Sequence, residues 1–268
     1  MMRSLSRVAS MAALSVLAAA AGASPVLLSQ DFDTFSLGNL NGQQGWTSTP
    51  VAGAQVVNDA AAQSGARSVS LAANTIIDRS ITEANGQAVV WTQSYFRGSG
   101  TTSAPNYPAD PASAIVHLSA TNGIQVLNGN GSGGGAFENT GVALNNPSQW
   151  HQILIRQDYT NKTWDCWVNG ALEAQDLGFR DNSVDHLGGF RQYAGVACSM
   201  DTFLIRRSAV GGDVNFDGVT DAADVVTTAN AVSAPPSDPF LLGDVDFDGN
   251  GVVENADVQA TADVILGL

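Results

Sequence analysis

The last stretch of the chain constrains it most: from Gly211 to Leu268 there are eleven carboxylates and no lysine or arginine. That segment carries −11 of the formal −14 of the whole sequence. Carboxylates at this density repel one another unless a cation sits among them. Their order follows a rule. Asp213, Asn215, Asp217, Asp221 and Asp224 stand at positions 1, 3, 5, 9 and 12 of a twelve-residue string. Asp246, Asp248, Asn250, Glu254 and Asp257 repeat those positions in a second string. Position 6 is glycine both times, Gly218 and Gly251. This is the register of an EF-hand-type calcium loop.

The chemistry explains the spacing. Calcium takes about six to eight hard oxygen ligands. Alternate residues of a coiled loop point inward, so positions 1, 3 and 5 supply side chains. Glycine at position 6 permits the reversal that follows. Position 7 gives its backbone carbonyl, which leaves the side chains of Val219 and Val252 free. Position 12 opens a helix, where a carboxylate also suits the dipole. Helices are expected over 224–232 and 257–266. Val225, Ala229 and Val232 would form one apolar stripe and Val258, Ala262 and Ile265 the other, packed together. A rival second register begins at Asp244. It puts Val252 at position 9 and Asn255 at position 12 and leaves Asp257 unused, so the start at Asp246 is preferred and Asp244 becomes an outer-shell candidate.

The other end reads differently. Arg3 and Arg7 precede an apolar run from Val8 to Ala21, and Ala21, Gly22 and Ala23 form a small-residue cleavage site. A secretory leader over 1–23 is expected, which makes the mature chain extracellular or cell-surface. The run is short of the roughly 20 residues of a membrane span, and no later stretch qualifies. Export permits a disulfide between Cys166 and Cys198, though two buried thiols fit as well. Two cysteines and three scattered histidines disfavour zinc.

From Pro25 to about Arg207 short apolar runs alternate with Gly-, Asn- and Ser-rich breaks, and long amphipathic periods are absent. Strands are expected at 26–32, 68–72, 88–97, 114–119, 123–127, 150–159, 163–169 and 201–207. The clearest hairpin joins the run from Trp150 to the one from Thr163. In the second arm Trp164, Cys166 and Val168 share one face, and Asp165, Trp167 and Asn169 the other. Trp167 is then either a ligand platform or a packing residue. The pattern predicts a mainly β, antiparallel sandwich over 24–208 and a small helical calcium module over 209–268.

Two resemblances follow. Trp150, His151 and Ile153, then Trp164, Cys166, Trp167, Val168, Asn169 and Gly170, resemble the hairpin of laminin-G-like, concanavalin A-like jelly-roll domains. So does the opening through Asp31, Phe32 and Asp33 to Gly45 and Trp46. The fold implied hosts lectins, hydrolases, lyases and adhesion modules. In related sandwiches a structural calcium lies between the first and last strands, which implies a third ion near Asp31, Asp33 and Asp201. The tail resembles a dockerin: two calcium loops, each with an exiting helix, no entering helix, and Asp at position 12. That implies a cohesin-like module or surface scaffold as partner. Positions 10 and 11, where hydroxyl residues often select the cohesin, are Ala222, Ala223, Asn255 and Ala256.

No catalytic motif stands out. A glycosidase needs two carboxylates across the bond, and Glu83, Glu138 and Glu173 are isolated. His117, His151 and His186 are scattered, and His117 and His151 suit buried structural roles. No basic patch is available to neutralise the phosphates of a nucleic acid. The sequence therefore reads as a secreted calcium-binding protein. Its jelly roll binds a glycan or surface and is non-catalytic, with a polysaccharide-degrading enzyme as the alternative.

Overall fold

The computed structural model describes residues 25–104, 110–209, 212–217, 219–235, 244–247 and 252–268. The expected leader lies outside these residues, as do Gly218, Asp248, Asn250 and Gly251 of the two loops.

Fifteen strands are described, in chain order β1 (Val26–Gln30), β2 (Gly38–Asn39), β3 (Trp46–Thr49), β4 (Ala54–Asn58), β5 (Arg67–Leu71), β6 (Thr75–Ser80), β7 (Val89–Arg97) and β8 (Val116–Ser119), then β9 (Gly123–Gly129), β10 (Gly135–Asn139), β11 (Trp150–Asp158), β12 (Thr163–Val168), β13 (Ala171–Gly178), β14 (Gly189–Ala194) and β15 (Cys198–Arg207). They form an antiparallel sandwich. One layer is a nine-stranded sheet in the order β13-β12-β11-β7-β15-β5-β4-β2, with β1 also on β15. The other layer is split into two three-stranded sheets, β10-β9-β8 and β14-β6-β3. The split leaves part of the large sheet uncovered.

The core lies between the layers. Trp46, Trp164, Phe32 and Phe203 are buried completely or nearly so. The Trp46 ring lies 5.9 Å from Phe32 and 5.4 Å from Phe203. Such pairs add about 0.5–1.5 kcal/mol each beyond the area they bury. The Trp46 indole N–H donates to Gln30 Oε1 at 2.8 Å, so the one polar atom of this core tryptophan is satisfied.

The expected hairpin forms in register, with Ile155 opposite Cys166 and Gln157 opposite Trp164. Period-two alternation sends Trp164, Cys166 and Val168 into the core and Trp167 to the outer face. There Trp167 is only 8% exposed and packs on Trp91 at 4.9 Å, beside Leu154. It is a packing residue, not a platform. Cys166 and Cys198 are free and buried. Their strands stand three places apart in the sheet, about 14 Å at the usual strand spacing, beyond the roughly 7 Å a disulfide tolerates. The last strand begins at Cys198, earlier than the sequence suggested.

The tail holds α1 (Ala222–Ser233) and α2 (Asn255–Leu266). They pack together, but not along the expected stripes. Ala229 is exposed, and the residues turned inward are Asp224, Thr228 and Ala231 on α1 and Asp257 and Thr261 on α2. The two threonine hydroxyls meet at 3.2 Å, and each also donates to the carbonyl one turn back, Asp224 or Asp257. The rotation has a local cause. Each position-12 carboxylate must reach back to its own loop, which fixes how the helix is turned. Among the described residues no helix is long and apolar enough to cross a membrane.

Candidate functional site

The first loop is built around Asp224, which has no exposed surface. Its two oxygens accept from the N–H of Asn215 at 3.1 Å and of Asp221 at 2.9 Å. Asp221 in turn caps α1 by accepting from Ala223 N–H at 2.7 Å. One carboxylate thus ties positions 3, 9 and 12 together. The second loop repeats the device. Asp257, also fully buried, accepts from Glu254 N–H at 2.8 Å and Phe247 N–H at 2.6 Å. Both helices start in a reciprocal capping box, Asp221 with Asp224 and Glu254 with Asp257. Val219 and Val252 are exposed, as residues contributing only a carbonyl are free to be. Ala222, Ala223, Asn255 and Ala256 are exposed too.

Among the described residues no three Asp, Glu, His or Cys side chains converge as a ready-made metal cluster. The loop-one oxygens turn onto nearby N–H groups instead. Asn215 Oδ1 takes Asp217 N–H and Asp217 Oδ1 takes Val219 N–H, each at 2.9 Å. A carboxylate has about four lone-pair sites, so these bonds leave acceptor capacity for a cation. The donor set fits calcium: Asp213, Asn215, Asp217, Asp221, Asp224 and the Val219 carbonyl reach its minimum of about six oxygens. In the second loop Asp246, Glu254, Asp257 and Val252 hold the matching positions.

Asp244 does something else. It is buried, and its Oδ1 accepts from Ser208 Oγ and from Ala209 N–H, each at 3.0 Å. Arg206 lies 3.8 Å from its other oxygen. Burial foremost raises its carboxyl to about 6. It faces the sandwich, not the loop, so the outer-shell expectation gives way.

The second candidate is a cleft of about 1160 Å³ over the uncovered part of the large sheet, between the two small sheets. Its floor comes from β7 and β11. There Gln157 is buried, and its Oε1 accepts from Ser113 Oγ at 2.6 Å and Tyr159 Oη at 2.8 Å. Burial raises the Tyr159 phenol, so it stays a neutral donor. At the rim Tyr193 is 60% exposed, with its hydroxyl on Asn74 Oδ1. Arg191 donates to Asp78 and to Asp110, each at 2.6 Å. His117 lines the cleft with its ring 5.8 Å from Phe137, and burial lowers its pKa. Sequence reasoning missed Asp78, Asp110, Arg191 and Tyr193. Arg191 and Tyr193 share β14, Asp78 lies on β6 and Asp110 in a loop, and no short motif links the three segments.

The remaining residues have structural roles. His151 is buried in the core, its Nδ1 3.3 Å from Asn169, and burial lowers its pKa. Glu83 pairs with Arg79. Asp33 and Asp201 do come together around the loop that precedes β5. Asp201 accepts from the N–H groups of Gln63, Ser64 and Thr202. Asp33 Oδ1 accepts from Ala66 and Arg67, and Asp31 Oδ1 from Asp33. Gly65 has φ +60°, and a Cβ there would collide with the Asp33 carboxylate. These carboxylates anchor the loop through N–H groups.

No family model matches the chain. No curated protein matches either. Solved structures do. Domain 4 of an extracellular arabinanase from Geobacillus stearothermophilus, solved with arabinotriose, is 13% identical with a TM-score of 0.45, over 69% of this chain and 93% of that one. A xylan-binding domain from Paenibacillus barcinonensis is 18% identical with a TM-score of 0.32, over 71% and 97%. An alginate lyase from a Chlorella virus is 14% identical with a TM-score of 0.40, over 65% and 99%. At these values the likeness carries neither ligand nor activity to this chain.

Proposed function

We propose that this chain is a secreted, modular calcium-binding protein whose sandwich holds a polysaccharide segment in its cleft, without catalysis, and whose dockerin-like tail attaches it to a cohesin-like module or surface scaffold. One observation supports the tail reading above the rest. Capping boxes, buried position-12 carboxylates and meeting threonines all recur at one spacing of 33 residues, Asp221 to Glu254, Asp224 to Asp257 and Thr228 to Thr261. A duplicated metal loop has that regularity, and an acidic tail has no need of it. Burying carboxylates in a segment with no basic residue is costly, and a dication offsets that cost. The turn of Asp244 toward the sandwich favours the second register that begins at Asp246. A third ion near Asp31, Asp33 and Asp201 belongs to the same proposal.

The test is calorimetric titration of the full chain with calcium after EDTA treatment. Two ions are expected in the tail, with a gain in helical circular dichroism, and a third in the sandwich, which Asp201→Ala would remove; silence in both signals would sink the calcium reading. For the cleft, a polysaccharide panel in affinity electrophoresis, read together with reducing ends and unsaturated-uronate absorbance, separates binder from enzyme. Retardation without product supports the binder, and sustained turnover supports a hydrolase or lyase.

A further inference from the structure

The split in the second layer leaves two strand edges on the cleft. β8 ends the sheet β10-β9-β8, and β14 ends the sheet β14-β6-β3. Both line the cleft, through Val116 to Leu118 and Gly189 to Ala194. Register shows which backbone groups they present. In an antiparallel pair alternate residues turn N–H and C=O toward the partner strand, and the residues between turn theirs away. On β14 the Gly188 carbonyl accepts from Ile81 N–H, in line with the pairing of Gly189 and Ser80. Phe190, Gln192 and Ala194 therefore serve β6, and Gly189, Arg191 and Tyr193 aim their backbone at the cleft. On β8 the Ile115 carbonyl accepts from Leu127 N–H, which sends His117 and Ser119 to β9 and turns Val116 and Leu118 to the cleft. The Leu118 carbonyl is taken by Thr101 N–H. The β14 groups stay open: the backbone of Gly189, Arg191 and Tyr193 has no cleft-side partner among the described residues, and all three residues are exposed.

We infer that the open edge of β14 is the rail along which the cleft holds its ligand, and that the ligand is a straight, ribbon-like neutral polysaccharide. This rests on the polysaccharide reading of the cleft and adds the contacting atoms and the shape of the chain. Outward-facing residues recur every second position, so the three span about 13 Å of straight edge. Each offers one donor and one acceptor, and a sugar hydroxyl can use either. Ile153 and Ile155 give the cleft an apolar strip for the flat faces of pyranose rings. A chain that runs straight meets the rail at all three residues, whereas a coiled chain touches it once and curves away. An open edge can also take an added peptide strand. Here Arg191 stands in the middle of the edge and its guanidinium reaches across to Asp110, and a charge so placed is a common obstacle to strand addition.

The experiment sets cellohexaose against maltohexaose on the full chain, with calorimetry for affinity and residue-resolved amide exchange for contact. Both are neutral glucose hexamers; the first is a straight β-linked ribbon and the second an α-linked coil. Cellohexaose is expected to bind about tenfold more tightly and to slow exchange at Gly189, Arg191 and Tyr193. Gly189→Pro removes one cleft-facing N–H and no bond to β6, as an edge position allows. It is expected to weaken cellohexaose about fivefold relative to Gly189→Ala. The alanine keeps the N–H, and its Cβ would stand 3.4 Å from the Arg79 carbonyl oxygen, an ordinary contact. The exchange readout in wild type needs no variant, so it decides the matter if Gly189→Pro does not fold. Equal binding of the two hexamers, or binding with no change at the three amides, would overturn the rail and leave the cleft reading intact. Protection of those amides by an extended peptide and by neither hexamer would overturn the sugar assignment of the edge. Retardation of no polysaccharide in the whole panel would overturn the cleft reading, and the rail with it.

Discussion

Asp201 is buried to 0% exposure, and the backbone beside it is unusual: Thr202, a β-branched residue, has φ 45°. Such a conformation persists only where the surroundings over-determine it. They do so here. Asp201 accepts Thr202 N–H, and Thr202 Oγ1 bonds to Gln63 Oε1. Burial first, and the nearby Asp33 charge after it, push the Asp201 carboxyl up; its three N–H donors pull the other way. Asp201→Ala would leave those donors unmatched, and a loss of about 3 kcal/mol is expected in urea unfolding. A loss below about 1 kcal/mol would show that water serves them as well. The thiols make a second residue-scale case. Burial pushes both Cys166 and Cys198 up to about 12. At pH 8 about one thiol in ten thousand is then ionised, against about one in four for a free cysteine. Both are expected to ignore Ellman's reagent in the folded chain and to react at once in denaturant. The sign for stability follows. The folded thiols hold their protons more tightly than the unfolded ones. Their contribution is therefore whole below about pH 8.5 and is lost as pH climbs toward 12.

Each helix of the tail is set by its first turn. Asp224→Ala would remove a capping box and the bridge between loop positions 3 and 9. Loss of one calcium ion and of part of the helical signal is expected, with about 1 kcal/mol from the cap alone; unchanged stoichiometry would show that Asp224 only caps. The two helices of this element were legible in the sequence, starting within about two residues of the expected Asp224 and Asp257. Their rotation was not. A stripe drawn through Val225, Ala229 and Val232 follows hydrophobicity alone, whereas the helix is turned by the position-12 aspartate reaching back to its loop, and Thr228 follows it inward one turn on. The sandwich divides the same way. The hairpin from Trp150 and the runs near Val89 and Gly123 are largely buried stretches bounded by turns, and they were found. β10, β13 and β14 are half exposed and polar, with residues such as Glu138, Gln175 and Arg191, so they lack the pattern that identifies a strand. Two of these three strands also border the cleft layer, which is why the cleft was invisible in the sequence.

The charge of the whole molecule bears on what that cleft accepts. The chain carries −14, yet the cations at the cleft wall are matched: Arg79 by Glu83, and Arg191 by Asp78 and Asp110. The floor adds neutral groups, Gln157 and the protonated Tyr159. Among the described residues a polyuronate would meet Arg79 and Arg191 already paired with carboxylates, and it would approach a negative protein, which slows encounter and weakens binding. A neutral polysaccharide meets hydroxyl, amide and guanidinium donors and the exposed ring of Tyr193, the usual mixture of flat apolar surface and aimed polar groups in a ligand site. Neutral chains are therefore expected to be retarded in affinity electrophoresis and polyuronates to run free. Retention should change little between 0.05 and about 0.5 M salt, because screening acts on unpaired charge. Arg191→Ala leaves Asp78 and Asp110 facing each other without their shared partner, so it should weaken neutral-chain binding about tenfold and leave the calcium stoichiometry of the tail untouched. Tight, salt-sensitive retention of a polyuronate would contradict this charge reading at the level of the whole molecule. Equal binding by Arg191→Ala and wild type would move the ligand away from this rim.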